Sequence, residues 1–183
     1  MILSRLFGRK RNASQAIVIR TYEAIVATAR QPYLFSHWHV PDTPIGRFES
    51  LSLHMILFLH RIKGGGIDVQ ALGQEVVEEF FQDVDHSLRE LGIGDTSVPK
   101  RMKKLAKMFY GRAAAYDLAL ASADRDAFAK ALERNIFPDG PQWEFAPALA
   151  HYALAAAKAL GAQPDEDILG GGVTFPDASA MKE

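Results

Sequence analysis

Residues 75–112, EVVEEFFQDVDHSLRELGIGDTSVPKRMKKLAKMFYGR, hold two helix patterns of opposite charge joined by a glycine-rich turn. Before the turn, Leu72, Val76, Phe80, Val84 and Leu88 recur every four residues, which is the spacing of one helix face. Glu75, Glu78, Glu79, Asp83, Asp85 and Glu90 make this first helix acidic. The turn Leu91-Gly92-Ile93-Gly94-Asp95 interrupts the pattern. Beyond it, Ser97 or Asp95 can cap a second helix, Pro99 suits its first turn, and Met102, Leu105, Phe109, Ala113 and Tyr116 form its inner face. Lys100, Arg101, Lys103, Lys104, Lys107 and Arg112 follow with no acidic residue among them, so a net charge of -1 hides a strong local asymmetry.

Helical periodicity continues on both sides. Upstream, residues 47–63 are apolar on nearly every side, as expected for a helix at the centre of a bundle. Val18, Tyr22, Ile25, Val26 and Ala29 share one face of a helix predicted from about Ser14, its N-cap, to Arg30. Between these two helices, three prolines and the aromatic residues Tyr33, Phe35 and Trp38 predict an ordered, packed loop. Gly64-Gly65-Gly66 ends the central helix, and Asp68 opens the acidic one. Downstream, Asp124 can cap a helix to Arg134, Pro138-Asp139-Gly140-Pro141 breaks the chain, and an alanine-rich helix runs from about Glu144 to Leu160 with Gly161 as its C-cap. The pattern predicts an all-α fold: a single-domain irregular bundle of about six helices. Residues 1–13 read as a basic amphipathic segment, 14–161 as the helical domain and 162–183 as a flexible tail that Phe175 can dock.

Several function classes lose support at this level. The chain has no cysteine, so disulfides and zinc-thiolate sites are excluded, and a cytoplasmic setting fits best. Its longest strongly apolar run, Met55 to Leu59, falls far short of the ~20 residues needed to cross a bilayer. The N-terminus is not a secretory signal; Ile2, Leu3, Leu6 and Phe7 with Arg5, Arg9, Lys10 and Arg11 fit either a membrane-surface helix or a frayed terminus. No phosphate loop, nucleophile motif or dinucleotide fingerprint is present. His37, His39, His54, His60, Asp83, Asp85 and His86 offer ligands for a metal-dependent helical-bundle enzyme, but no Glu stands three residues before a His on these helices. Asp83 and Asp85 would point about 200° apart on a helix. No catalytic residue, metal or cofactor is therefore assigned, and His54 reads as a satisfied core histidine. The lysine-rich helix fits an RNA- or ribosome-binding module as well as a solvated face, while nothing reads DNA bases.

A set of short motifs in fixed order completes the reading: Tyr22 with Ile25-Val26, Val40-Pro41-Asp42-Thr43, Gly46-Arg47-Phe48-Glu49, Leu53-His54, Asp83-Val84-Asp85, Leu88 to Asp95, and Phe109-Tyr110-Gly111-Arg112 with Tyr116. Over about Ser14 to Phe137 the chain resembles the ubiquinol-cytochrome c chaperone family, in particular its short bacterial members. The resemblance implies a helical assembly chaperone of the cytochrome bc1 complex that holds newly synthesised cytochrome b and turns over no substrate. It also implies a peripheral place at the inner face of the bacterial inner membrane, with the ribosome and an anionic membrane surface as further partners. A small accessory protein is left open. Residues from Pro138 onward take no function from it.

The expected client or partner contacts are Glu78, Glu79, Asp83, Asp85, Arg89, Lys100, Lys103, Lys104, Lys107, Tyr110 and Arg112. Asp42, Arg47, His54 and Asp95 are expected to maintain the fold. Asp42 and Arg47 would form a buried pair, Asp83 and Asp85 would meet Arg89 or Arg112, and Asp95 would cap a helix. The client groove is expected beside the acidic helix and the aromatic loop.

Overall fold

The computed structural model describes residues 2–138, 140 and 142–181, with side chains from Ser14 onward. Its elements are α1 (Ile2–Ala29), α2 (Pro32–Ser36), α3 (Pro44–Ile62), α4 (Ile67–Glu90), α5 (Val98–Ser122), α6 (Arg125–Ile136), α7 (Ala146–Gly161), α8 (Asp165–Leu169) and a 3-10 turn at Ala178–Ala180. The fold is all-α, with no strand among the described residues. Six helices are long, and α2 and α8 are single short turns. The apolar α3 lies at the centre, packed against α1, α4, α5, α6 and α7. The Ser50 hydroxyl donates to the Ala29 carbonyl at 2.8 Å, tying α3 to the end of α1.

Local chemistry explains most boundaries. Thr43 caps α3 by accepting the Gly46 N–H at 3.1 Å, and Pro44 occupies the first turn. Asp124 caps α6 through the Ala127 N–H at 2.9 Å. At the end of α4, Gly92 has φ +76°. Its N–H donates to the Arg89 carbonyl while the Ile93 N–H donates to that of Leu88, the two bonds of a Schellman cap. Ser97 precedes α5 as expected, but its side chain makes no capping bond.

Two expectations are corrected, and one is refined. Ser14 is not an N-cap: α1 runs back to Ile2, and the Ser14 hydroxyl donates instead to Glu75 on α4 at 3.4 Å. The surface character expected of residues 1–13 lies outside the described side chains. The aromatic loop contains α2 and buries Leu34 and Trp38, whose carbonyl accepts the Trp143 indole N–H at 3.1 Å. The Pro138–Pro141 break lies partly outside the described residues. Finally, the segment expected to trail as a flexible tail is packed as far as Met181, with Ile168, Val173 and Ala178 buried. Arg61 anchors it, donating to the carbonyls of Leu160 at 2.9 Å and Gln163 at 2.7 Å and to the Asp165 carboxylate at 2.6 Å. That carboxylate also accepts the Gly66 N–H at the start of α4. The apolar residues of the segment are too sparse to show a period, which is why the sequence pattern misses them.

Candidate functional site

A groove of about 520 Å³ opens between the end of α1, the turn before α3, the start of α3 and the second half of α4. It lies beside the acidic helix and residues 42–45, where the chain turns into α3, and none of the aromatic residues Tyr33, Phe35 and Trp38 lines it. Phe48, Leu51, Val84, Leu88 and Leu105 make its apolar lining, and Ile45 and Leu91 stand at its mouth, 53% and 60% exposed. Arg30, Asp42, Arg47, Asp83 and Glu90 carry its charge. Phe48 stacks on Phe80 with centroids 6.1 Å apart, leaving Val84 and Leu88 to face the opening.

The motif residues acquire distinct physical reasons. Gly46 is required because a Cβ there would lie 1.9 Å from the Pro41 carbonyl oxygen. Asp42 and Arg47 do pair, at 2.6 Å, but both are more than half exposed, so the pair is a surface clip and not a buried one. Arg47 holds the Asp42 carboxyl below the usual carboxylate range. Glu49 is 1% exposed in its side chain and takes a bidentate grip from Arg112 of α5, itself 13% exposed. Burial pushes the Glu49 carboxyl up against the pull of that guanidinium. Arg112 therefore points into the core and not toward a client, a correction that helix spacing alone does not reveal.

The acidic helix is similarly divided. Asp83 is half-buried and accepts the Tyr22 hydroxyl at 2.7 Å, so it pins α1 to α4 instead of meeting an arginine. Burial and the Asp83 carboxylate push the Tyr22 phenol far above its ordinary range. Arg89 bonds Asp85 at 2.7 Å and also bonds Asp95, so Asp95 braces the turn through Arg89 and caps no helix. Glu78 is exposed and accepts the Gln74 amide at 3.0 Å, and Glu79 is half-buried. By contrast Lys100, Lys103, Lys104 and Lys107 are all exposed, and no described carboxylate pairs with them. Tyr110, 59% exposed, extends their face and packs on Phe81 with centroids 6.1 Å apart.

His54 is fully buried. Its Nδ1 lies 2.8 Å from the Ser50 carbonyl, which can only accept, so the proton sits on Nδ1 and Nε2 accepts the Tyr152 hydroxyl at 3.0 Å. Burial lowers its pKa to about 4. The other metal-ligand candidates do not converge: His60 bonds Asp117 at 3.0 Å, His86 meets Glu90 at 3.2 Å, and His37 and His39 flank Phe145. Among the described residues no group of three or more potential ligands could hold a metal ion. The groove lining and Glu49 are the parts that sequence reasoning missed. Glu49 had one visible signal, the single acid on the central helix.

The described residues thus form an all-helical body with an apolar groove and a separate cationic face. The chain belongs to the ubiquinol-cytochrome C chaperone family, whose profile matches residues 36–175. That span extends past Phe137 into α7 and the packed C-terminal segment, so these elements belong to the family's region, contrary to the expectation for residues from Pro138 onward. The chain is 27% identical over 118 residues to the ubiquinol-cytochrome-c reductase complex assembly factor 1 of Xenopus laevis, covering 64% of this chain and 58% of that protein. It thus spans a little over half the length of that relative. The structure is similar to the crystal structure of the Cbp3 homolog from Brucella abortus, with a TM-score of 0.90, 53% identity and 100% of both chains covered.

Proposed function

We propose that this protein is an assembly chaperone of ubiquinol-cytochrome c reductase, the cytochrome bc1 complex, and that it holds newly synthesised cytochrome b through the groove without turning over a substrate. The observation that carries this reading is the groove itself, an apolar cleft open to solvent on a chain of this family. Its lining offers a freshly made membrane protein the apolar contact it lacks outside the bilayer. Asp83, Glu90 and the exposed Glu78 supply partners for the positive charges that flank membrane spans on the cytoplasmic side.

The lysine face of α5 belongs to a second contact. Four exposed ammonium groups on one helix, with no ion-pair partner among the described residues, attract an anionic surface, either the acidic lipids of the inner membrane or ribosomal RNA. No described helix is long and apolar enough to cross a membrane, so the membrane contact in this reading is peripheral. Photo-crosslinkers at Leu91 and at Lys103, present while cytochrome b is synthesised, test the reading. A crosslink from Leu91 to cytochrome b and loss of the bc1 complex in a deletion strain are expected. Absence of that crosslink together with normal bc1 levels would overturn it, and salt-dependent RNA binding with no effect on cytochrome b would favour an RNA-binding module.

A further inference from the structure

We infer that the groove receives a short amphipathic segment of the client, about two helical turns carrying large apolar side chains and a basic flank, and not one of its membrane-spanning helices. The inference rests on the reading just given and concerns which part of the client is gripped. A spanning helix is about 30 Å long. The long side of the groove is the stretch of α4 from Asp83 to Leu91, which at 1.5 Å per residue covers about 12 Å, or two turns. A full span seated there would leave most of its apolar surface in water.

The charges at the groove point the same way. Asp42 and Arg47 neutralise each other. Among the described residues Asp83 is partnered by the neutral hydroxyl of Tyr22, so its charge remains, and Glu90 by the exposed imidazole of His86. Arg30 is the cation opposing them. The uncompensated balance is negative on the α4 side. A uniformly apolar span offers these carboxylates nothing, whereas a segment with a Lys or Arg one turn from its apolar anchors meets them directly. Ile45 and Leu91, exposed at the mouth, are the residues such anchors would first cover.

The test uses the full chain and two fluorescent probes. One is a ten-residue helix-forming peptide with Leu and Phe at i, i+3 and i+7 and two lysines on its flank. The other is a twenty-residue all-apolar span in a nanodisc. The amphipathic peptide should bind, and Ile45→Glu and Leu91→Glu, both at exposed positions, should each weaken it at least about tenfold, with unchanged thermal melting as the check that the fold is intact. The nanodisc span should not displace it. Displacement by the span, or amphipathic binding indifferent to both substitutions, would overturn the inference. Mapping the Leu91 crosslink separates the two levels. A crosslink confined to membrane-spanning segments of cytochrome b removes this inference and leaves the chaperone reading standing, whereas no crosslink to cytochrome b removes this inference and, with normal bc1 levels, the chaperone reading as well.

Discussion

Arg112 on α5 grips Glu49 on α3 with both arms of its guanidinium, joining the lysine-bearing helix to the centre of the bundle through a charge pair hidden from solvent. Tyr116 lies one turn further along α5, and its phenol is pushed up by burial and by the Glu49 charge. The pair thus sets how α5 presents its outer face.

Removing one member strands the other. Arg112→Met should cost about 3–5 kcal/mol in urea unfolding, because a buried carboxylate is left without its partner. Adding Glu49→Gln should recover much of that loss. In Arg112→Met alone, burial acts unopposed and the folded-state pKa of Glu49 lies above its unfolded value. The variant should therefore be most stable below the ordinary glutamate pKa and lose stability as pH rises through the folded one. Equal cost for the single and double variants would contradict this account.

His54 should make the fold sensitive to mild acid. Its folded pKa of about 4 lies below the ordinary imidazole value of 6.5, so between these pH values the unfolded chain binds a proton that the folded chain refuses. Stability from this group is present above about pH 6.5 and declines by about 3 kcal/mol as pH falls toward 4. Urea midpoints at several pH values check it, and His54→Phe should show a shallower decline over the same window.

Two glycines should respond unequally to alanine. A Cβ on Gly46 meets the Pro41 carbonyl oxygen at 1.9 Å, a backbone atom that moves only with the whole turn, whereas on Gly73 it meets the Ile62 Cδ1 at 1.8 Å, the free end of a side chain. Gly46→Ala should cost more than about 3 kcal/mol, and Gly73→Ala about 1–2 kcal/mol after Ile62 repacks. Thermal melts of the two variants decide the order.

Reversing Lys100, Lys103, Lys104 and Lys107 to Glu should abolish sedimentation with anionic vesicles or with ribosomes. Because these groups are exposed and make no ion pair with a described residue, each change should shift stability by no more than about 0.5 kcal/mol. Association of the unmodified protein should fall steeply with salt, as counterion release requires. Unaltered partner binding in the reversed variant would remove the face from the functional account.

The division between what was and was not legible follows from distance along the chain. Periodicity and caps act within a turn or two, so the central α3, the oppositely charged α4 and α5, the Asp124 cap and the all-α class could be read from residue spacing, and the ordered motifs were enough to point to the family. Whether a charged residue faces a client or the core depends on partners many residues away. Arg112 reaches back 63 positions to Glu49, and Tyr22 reaches Asp83 across 61. Arg61 holds Asp165 across 104, which is how a segment without visible periodicity becomes packed. The groove has no sequence signature at all, since its lining joins Val84 and Leu88 of the inward stripe of α4 to Phe48 and Leu51 of α3 and Leu105 of α5, which no local spacing brings together. By itself the sequence determined which stretches are helical and which faces are apolar; the tertiary structure alone decided which of those faces stayed open, because long-range packing, and not local spacing, sets what covers them.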